Sequence, residues 1–381
     1  MAPAELDVES AHPSLQTPRK AKAYNRTKLT TGIASAVLSF VVLLLLVLSG
    51  STRSLESWVR SWTGNDYVAL LGLSFIIWLV QSVVTVPVGF YSGYIVEHRY
   101  HLSNQSVGRW VFEHLKGIGV SFPIIVAVIL FLYYCLQVYS ALWWIPVSLG
   151  RMFLSIVLAR IAPVILLPIF YKLTPLEDSS LKQRIVDLCR SANVRVMGVF
   201  RFNLSKNTRK ANAAFTGIGR SRRIILGDTL LNEFSEEEIE TIFAHEVGHY
   251  AYHHIRTGIL ISMMSTCAGL YVTAQLYSWS VGAMGFSSLT SLAALPLLAL
   301  WLSIFGLVTM PLGNMVSRRH ERQADSYAVR KTGKKEAFVA ALRRLEQMNL
   351  ADPDPHPLVE FLFFSHPSIA RRIRAVEALA P

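Results

Sequence analysis

Sixty-one consecutive residues, from Thr257 to Ser317, contain neither a charged side chain nor a histidine. Residues 67–96 and 117–150 also lack charged side chains. A helix needs about 20 apolar residues to cross the hydrocarbon core of a bilayer. Each stretch is therefore long enough to span a membrane, and the longest predicts two helices joined by a short loop near Gly285.

With an apolar run near the N-terminus, these stretches predict about six membrane spans. Their approximate bounds are residues 32–49, 67–96, 119–140, 142–171, 257–278 and 289–317. Only 16% of the residues are charged and 52% are hydrophobic, whereas a soluble domain carries about 25% charged residues. Composition therefore excludes soluble and disordered classes, and the sequence predicts a mainly α-helical, polytopic membrane protein.

The first and fourth predicted spans each allow two interpretations. Thirty-one polar-rich residues precede the first apolar run, which favours an uncleaved span over a signal peptide. This polar tail, residues 1–31, is expected to be disordered. The fourth span contains Arg151 and Arg160, which either lie near its ends or face a wet interior.

The net charge of +12 is distributed along the chain in a pattern that indicates membrane orientation. Basic residues lie before the first span, after the second, in 172–256 and from 318 onward, whereas the alternate loops contain only Arg53 and Arg60. The positive-inside rule places both termini and both large polar segments in the cytoplasm. The basic charge is therefore attributed to topology; the spans predict the lipid bilayer as a partner, and no nucleic acid is expected.

The polar segments are each too short for a comfortable domain, so we expect 172–256 and 318–381 to pack together. They predict a small α+β unit, with a helix over Leu176–Ala192 and strands over Val194–Phe202, Ala211–Gly217 and Arg222–Gly227. The predicted organisation is a tail at 1–31, spans one to four at 32–171, a catalytic part at 172–256, spans five and six at 257–317, and a second catalytic part at 318–381.

An HExxH motif occupies residues 245–249. Ser235 and Glu238 form the pattern of a capping box, so the motif is expected on a helix that begins there and runs toward span five. His245 and His249 then share one helix face and can bind one Zn²⁺. Glu246 lies beside them, where its carboxylate can take a proton from a zinc-bound water.

A third ligand must come from elsewhere in the chain. His253 and His254 are interpreted as wet residues at the membrane boundary in preference to metal ligands. His253 lies one turn further along the same face, but three histidines spaced four apart on a straight helix cannot converge on one ion. Glu321 lies just beyond span six, at the same depth as His249, and is predicted to be the third ligand. Asp325 lies one turn further and can accept the second N–H of a ligand histidine.

Besides HExxH, five stretches of this sequence occur in the order of known motifs. They are residues 96–104 (VEHRYHLSN), 168–176 (PIFYKLTPL), 212–217 with 223–231 (NAAFTG, RIILGDTLL), 321–325 (ERQAD) and 365–367 (SHP) with Arg372. In these motifs the chain resembles the type I CAAX prenyl proteases, integral-membrane zinc metalloproteases. The resemblance covers about residue 67 to the end.

The resemblance implies a gluzincin-type site with one Zn²⁺ per chain and a water-filled chamber enclosed by the spans. It implies that Asn212 lies on an edge strand that a substrate peptide joins. His366 would lie close to the zinc and stabilise the oxyanion. Arg372 would support that region or contact the substrate C-terminus. The implied reaction removes the C-terminal tripeptide of a prenylated protein, and a monomer is expected.

The sequence departs from the eukaryotic members of that family. Those have seven spans and a long insertion before HExxH, whereas this chain lacks a counterpart of the second span and of the insertion. Its compact form and high pI indicate a bacterial member. The expected location is the cell membrane of a bacterium, or the endoplasmic reticulum membrane of a eukaryote.

Three other functions agree less well with the sequence. A quality-control membrane zinc protease acting on unmodified peptides would be shorter. An intramembrane regulatory protease would carry HExxH within an apolar span and an aspartate ligand in a later one, and span six has no Asp. A transporter or inactive scaffold is disfavoured by the intact HExxH and Glu321.

Overall fold

The computed structural model describes residues 13–194, 196–217 and 222–379, and the side chains from residue 18 onward. In the described part before residue 172, the α-helices are α1 Pro13–Leu48, α2 Ser51–Arg60, α3 Asp66–Phe90, α4 Val96–Arg99, α5 Val107–Tyr139, α6 Trp144–Ile161 and α7 Leu167–Phe170. The later helices are α8 Ser180–Ser191, α9 Asp228–Glu233, α10 Glu236–Ala251, α11 His254–Ala283, α12 Leu295–Thr332, α13 Lys335–Asn349, α14 Pro357–Phe363 and α15 Ile369–Glu377.

Within the described residues, six helical segments are long and apolar enough to cross a membrane, as the charge-free stretches predict. They are Pro18–Leu48, Asp66–Arg99, Val107–Leu142, Trp144–Phe170, His254–Ala283 and Leu292–Thr332. Single π-helical turns at Tyr91–Ile95 and Ala162–Leu166 lie within the second and fourth of them. The fold is that of a polytopic α-helical membrane protein, which confirms the predicted class.

The N-terminal tail differs from its expectation. Helix α1 begins at Pro13, so residues 13–31, expected to be disordered, are helical, and residues 1–12 lie outside the described residues. Packing explains the helix: Tyr24 is buried, and its hydroxyl donates to Glu97 at 2.7 Å. Asn25 donates to the carbonyl oxygen of Leu350 at 2.6 Å. The tail is therefore ordered by contacts with distant residues.

Helix α2 is ten residues long, too short to cross a bilayer. The Glu56 carboxylate of α2 accepts from the backbone N–H of Ala293 at 2.8 Å, which ties α2 to the start of the last span. Trp58 and Trp62 of this segment are exposed. The region between the first two spans thus caps the end of the bundle without forming another span.

Four short strands form one sheet in the order β1-β2-β4-β3. Their bounds are β1 Leu173–Pro175, β2 Val199–Phe202, β3 Ala213–Thr216 and β4 Arg223–Gly227. Strands β2 and β4 are parallel, and the outer pairs are antiparallel. Strand β3 therefore lies at an edge of the sheet.

The two polar segments pack together around one apolar core. Ile185 of α8, Ile224 of β4, Phe243 of α10 and Phe338 of α13 are all buried in that core. Helix α12 links the core to the membrane, because it runs without a break for 38 residues. At 1.5 Å per residue it is roughly 57 Å long, about twice the thickness of the hydrocarbon core.

A cavity of about 1300 Å³ lies among α5, α6, α11 and α12. Its lining is mainly apolar, with side chains such as Phe131, Phe153 and Leu302, and it includes Arg151. Of the two arginines left open in the fourth span, Arg151 borders this cavity, although its side chain is exposed. The predicted site residues line a different, smaller cavity.

Candidate active site

The HExxH motif lies on α10, which begins with the expected capping box. Ser235 Oγ accepts from the Glu238 backbone N–H at 3.3 Å, and Glu238 Oε2 accepts from the Ser235 N–H at 2.8 Å. Burial of one face of α10 turns the two histidines toward α12. Gly248 permits a close approach of these helices, since a Cβ atom there would lie 3.1 Å from the Ala324 Cα.

His245, His249 and Glu321 meet at one point between α10 and α12. The two histidine Nε2 atoms are 3.2 Å apart, and they lie 3.4 and 3.3 Å from the Glu321 carboxylate oxygens. Ligand atoms about 2.1 Å from one tetrahedral zinc ion lie roughly 3.4 Å from each other. The three groups therefore have the spacing that a zinc ion requires.

The polarity of these three groups also fits a cation. Glu321 is 4% exposed, and its Oε2 atom has no hydrogen-bond donor among the described residues. A buried carboxylate oxygen without a donor is unfavourable unless a cation satisfies it. Nitrogen and carboxylate donors in this number are those of a catalytic zinc site.

Asp325 and Arg372 lie behind His245. The Nδ1 of His245 lies 2.8 Å from Asp325 Oδ1, and Arg372 donates from Nε and Nη2 to the same carboxylate at 2.9 and 2.6 Å. Arg372 therefore binds Asp325. This contact corresponds to support of the site, which is one of the two roles expected for Arg372. This arrangement leaves His245 Nε2 directed at Glu321.

Burial by itself would lower the pKa of His245. The Asp325 and Glu321 carboxylates, 2.8 and 3.4 Å from its ring nitrogens, outweigh burial and raise this pKa to about 9. In the metal-free protein His245 is therefore protonated at neutral pH, and a metal ion must displace that proton.

Glu246, Asn212 and His366 line the same cavity as the three predicted ligands. The cavity measures about 340 Å³. Asn212 directly precedes edge strand β3, and its carbonyl accepts from Gly227 N–H at 2.9 Å. His366 Nε2 lies 3.3 Å from Glu321 Oε1. The structure thus brings together every residue that the sequence and the resemblance proposed for the site.

Arg318 is a residue that the sequence analysis did not single out. It is buried on α12, and its guanidinium donates to the carbonyl oxygens of Glu360 at 2.9 Å and Phe364 at 2.6 Å. These carbonyls end α14, directly before Ser365 and His366. Arg318 therefore holds the segment that carries His366. Nothing in the local sequence indicates this role, because the contact spans more than 40 positions.

His254 was interpreted as a wet residue at the membrane boundary, and that interpretation is wrong. It is 6% exposed, and its Nδ1 lies 3.1 Å from His249 Nδ1. The expected continuous helix is broken instead: α10 ends at Ala251, and His253 adopts left-handed backbone angles, with φ of 58°. This bend turns His254 back toward α10, whereas His253 is exposed.

Two family models together match nearly the whole chain. Residues 175–380 match peptidase family M48, and residues 3–172 match a family described as CAAX prenyl protease N-terminal, five membrane helices. Four of the candidate spans lie in that N-terminal region, with α2 as an additional short helix between the first two.

The matches to individual relatives cover most of this chain and most of each relative. An uncharacterized metalloprotease of Bacillus subtilis is 32% identical over 94% of this chain and 84% of the relative. CAAX prenyl protease 1 of Saccharomyces cerevisiae is 30% identical over 78% of this chain and 70% of the relative. The crystal structure of S. mikatae Ste24p matches with a TM-score of 0.85 and 24% identity, covering 99% of this chain and 92% of the other, which shows a common fold.

Proposed function

The chain belongs to peptidase family M48, in its CAAX prenyl protease branch, and we propose that it binds zinc. One ion per chain is held by His245, His249 and Glu321. The protein is an integral-membrane metalloprotease. The observation that carries the proposal is the convergence of these three groups at 3.2–3.4 Å beside Glu246.

The other site residues divide the remaining work. A bound zinc ion supplies Lewis-acid chemistry, because it acidifies a water and polarises the scissile carbonyl. Glu246 is the general base that takes the proton of the attacking water and passes it to the leaving amine. His366 donates from Nε2 to the developing oxyanion, and Ser365 Oγ, 2.9 Å from its Nδ1, orients the ring. Asp325 and Arg372 hold His245 in position.

We propose that the peptide substrate pairs with edge strand β3 in an extended conformation. Asn212 lies where that strand enters the cavity. The wall beyond it is apolar, with Ile242, Phe338 and Leu342, which suits the apolar residues near the end of a CAAX sequence. The bond cleaved is then the one that releases the C-terminal tripeptide. The larger apolar cavity among the spans has room for an attached lipid chain.

The arrangement in the cell follows from the charge distribution. We propose that residues 172–256 and 318–381 form one catalytic unit in the cytoplasm, with both termini on that side and with membrane parts at 32–171 and 257–317. Basic residues concentrate on those polar segments, whereas the loops of the opposite side contain only Arg53 and Arg60. The catalytic unit is complete within one chain, which supports a monomer.

The substrate is tested with two peptides that differ in one modification. Purified wild-type protein in detergent with zinc is given a peptide ending in a farnesylated CAAX sequence and the same peptide with a free cysteine. We expect release of the tripeptide from the farnesylated peptide at least about tenfold faster, since burying only two CH₂ groups is worth about 1.6 kcal/mol. Mass spectrometry identifies the products.

The two other outcomes separate the alternatives. Equal or faster cleavage of the unmodified peptide would remove the prenyl specificity and favour a quality-control protease. Cleavage of neither peptide, in protein that carries zinc, would contradict the endopeptidase function and leave an inactive scaffold or transporter.

Zinc affinity is expected to weaken as the pH falls. The raised pKa of His245, about 9, means that below pH 9 a proton competes with zinc for its Nε2. The apparent zinc affinity should therefore fall about tenfold per pH unit from this group alone between pH 8.5 and 6.5. Competition with a chelator, corrected for the chelator's own protonation, measures this dependence. Asp325→Asn should shift the inflection to lower pH, whereas an affinity that is flat from pH 6 to 9 in the wild type would contradict the assignment.

A further inference from the structure

The two histidines of HExxH have different partners behind them. His245 Nδ1 faces the Asp325 carboxylate at 2.8 Å. His249 Nδ1 instead faces the Nδ1 of another histidine, His254, at 3.1 Å. The Nε2 of His254 lies 2.9 Å from the Gln323 amide oxygen. A chain of three side chains thus leads from the cavity to the back of α12.

When His249 binds a metal, the hydrogen bonds between these three side chains can have only one donor-to-acceptor direction. A metal bound at His249 Nε2 requires the lone pair there, so the proton of the neutral ring is on Nδ1. His254 Nδ1 must then accept that proton, which puts the His254 proton on Nε2. The Gln323 amide oxygen is the acceptor that this second proton requires.

The opposite polarity is incompatible with metal binding at His249. If the Gln323 NH₂ group donated to His254 Nε2, His254 would carry its proton on Nδ1 and donate to His249 Nδ1. His249 would then carry its own proton on Nε2, the atom directed at Glu321. The oxygen of Gln323, 69 positions away from His254, is thus the acceptor that matches the tautomer that the metal site needs.

We propose that His254 and Gln323 are positioning residues that fix His249 in its metal-binding tautomer and orientation. The proposal rests on the proposed function, since it concerns zinc held by His249. His254 is suited to this role because it is 6% exposed, so no water competes freely for its nitrogens. Its ring also stacks on His320, with centroids 4.0 Å apart and planes 10° from parallel, which sets its orientation.

The proposal is tested by zinc affinity, measured by chelator competition at one pH on purified protein. His254→Phe keeps a planar ring but removes the acceptor, and we expect a 10- to 100-fold weaker affinity. His254→Asn retains an acceptor near the position of Nδ1 and should stay within about threefold of the wild type. Gln323→Leu leaves His254 without its acceptor and should weaken affinity by a smaller factor, roughly tenfold.

The matched control is His114→Phe, which replaces an exposed histidine of α5 that does not line the cavity with the same planar ring; its zinc affinity should equal that of the wild type. Thermal unfolding of the metal-free variants is measured in parallel and should be unchanged. Wild-type affinity in His254→Phe, or equal weakening in His254→Asn and His254→Phe, would overturn the proposal. So would a loss of metal-free stability that accounts for the weaker binding. Failure of the wild type to bind zinc would instead overturn the proposed function.

Discussion

Glu246→Gln is expected to abolish peptide cleavage while the protein retains about one zinc ion per chain. The amide is nearly the same size as the carboxylate but cannot accept a proton from water. Loss of a general base lowers turnover by about 10²- to 10⁴-fold. Zinc is retained because His245, His249 and Glu321 are unchanged. Cleavage of the farnesylated peptide and zinc content by elemental analysis are measured on the same preparation.

Glu237→Gln is the matched control, because it removes a carboxylate from the same helix. Its side chain is 59% exposed and is bonded to Lys334 outside the cavity. We expect wild-type cleavage from this variant. Cleavage by Glu246→Gln at the wild-type rate would contradict the proposed mechanism, and loss of zinc from it would assign Glu246 to metal binding.

Glu321→Gln is expected to lose both zinc and activity. The carboxylate of Glu321 is buried and lies within 3.4 Å of both histidine Nε2 atoms, so it supplies the negative charge that a divalent cation needs there. A neutral amide is a weaker ligand. We expect zinc affinity to fall by more than the 10- to 100-fold that follows loss of an outer partner. Chelator competition measures the affinity.

Glu336→Gln serves as the control for this substitution. Glu336 is an exposed residue in the first turn of α13, and its loss should change neither zinc content nor cleavage. Full zinc occupancy and wild-type affinity in Glu321→Gln would show that the third ligand lies elsewhere. Zinc loss in Glu321→Gln together with zinc retention in Glu246→Gln separates the ligand from the base.

The membrane architecture could be predicted because it follows from one physical constraint. A bilayer has no water to solvate charges, so uncharged stretches of 20 or more residues identify spans without knowledge of any contact. The capping box at Ser235 and Glu238 is equally local, which is why the start of α10 was predictable. His249 and Glu321 lie at the same depth, and this depth follows from chain positions and the rise of a helix alone.

The errors concern residues whose state depends on distant partners. Residues 13–31 read as a polar tail, but Tyr24 and Asn25 bind Glu97 and Leu350, and these contacts keep the segment helical. His254 reads as a wet residue until the left-handed turn at His253 folds it against His249. The sequence does contain a signal of this contact, which is a histidine five positions after the motif. Its role is missed when α10 is assumed to continue as a straight helix.

The sequence by itself determined the spans, their class and the identity of the groups that can hold a metal, because hydrophobic length and side-chain chemistry are properties of single segments. The tertiary structure decided which nitrogen of each histidine faces the cavity and what stands behind it: Asp325 with Arg372 for His245, and His254 with Gln323 for His249. Hydrogen bonds act over about 3 Å between atoms, so these partners are known only once α10, α11 and α12 have packed.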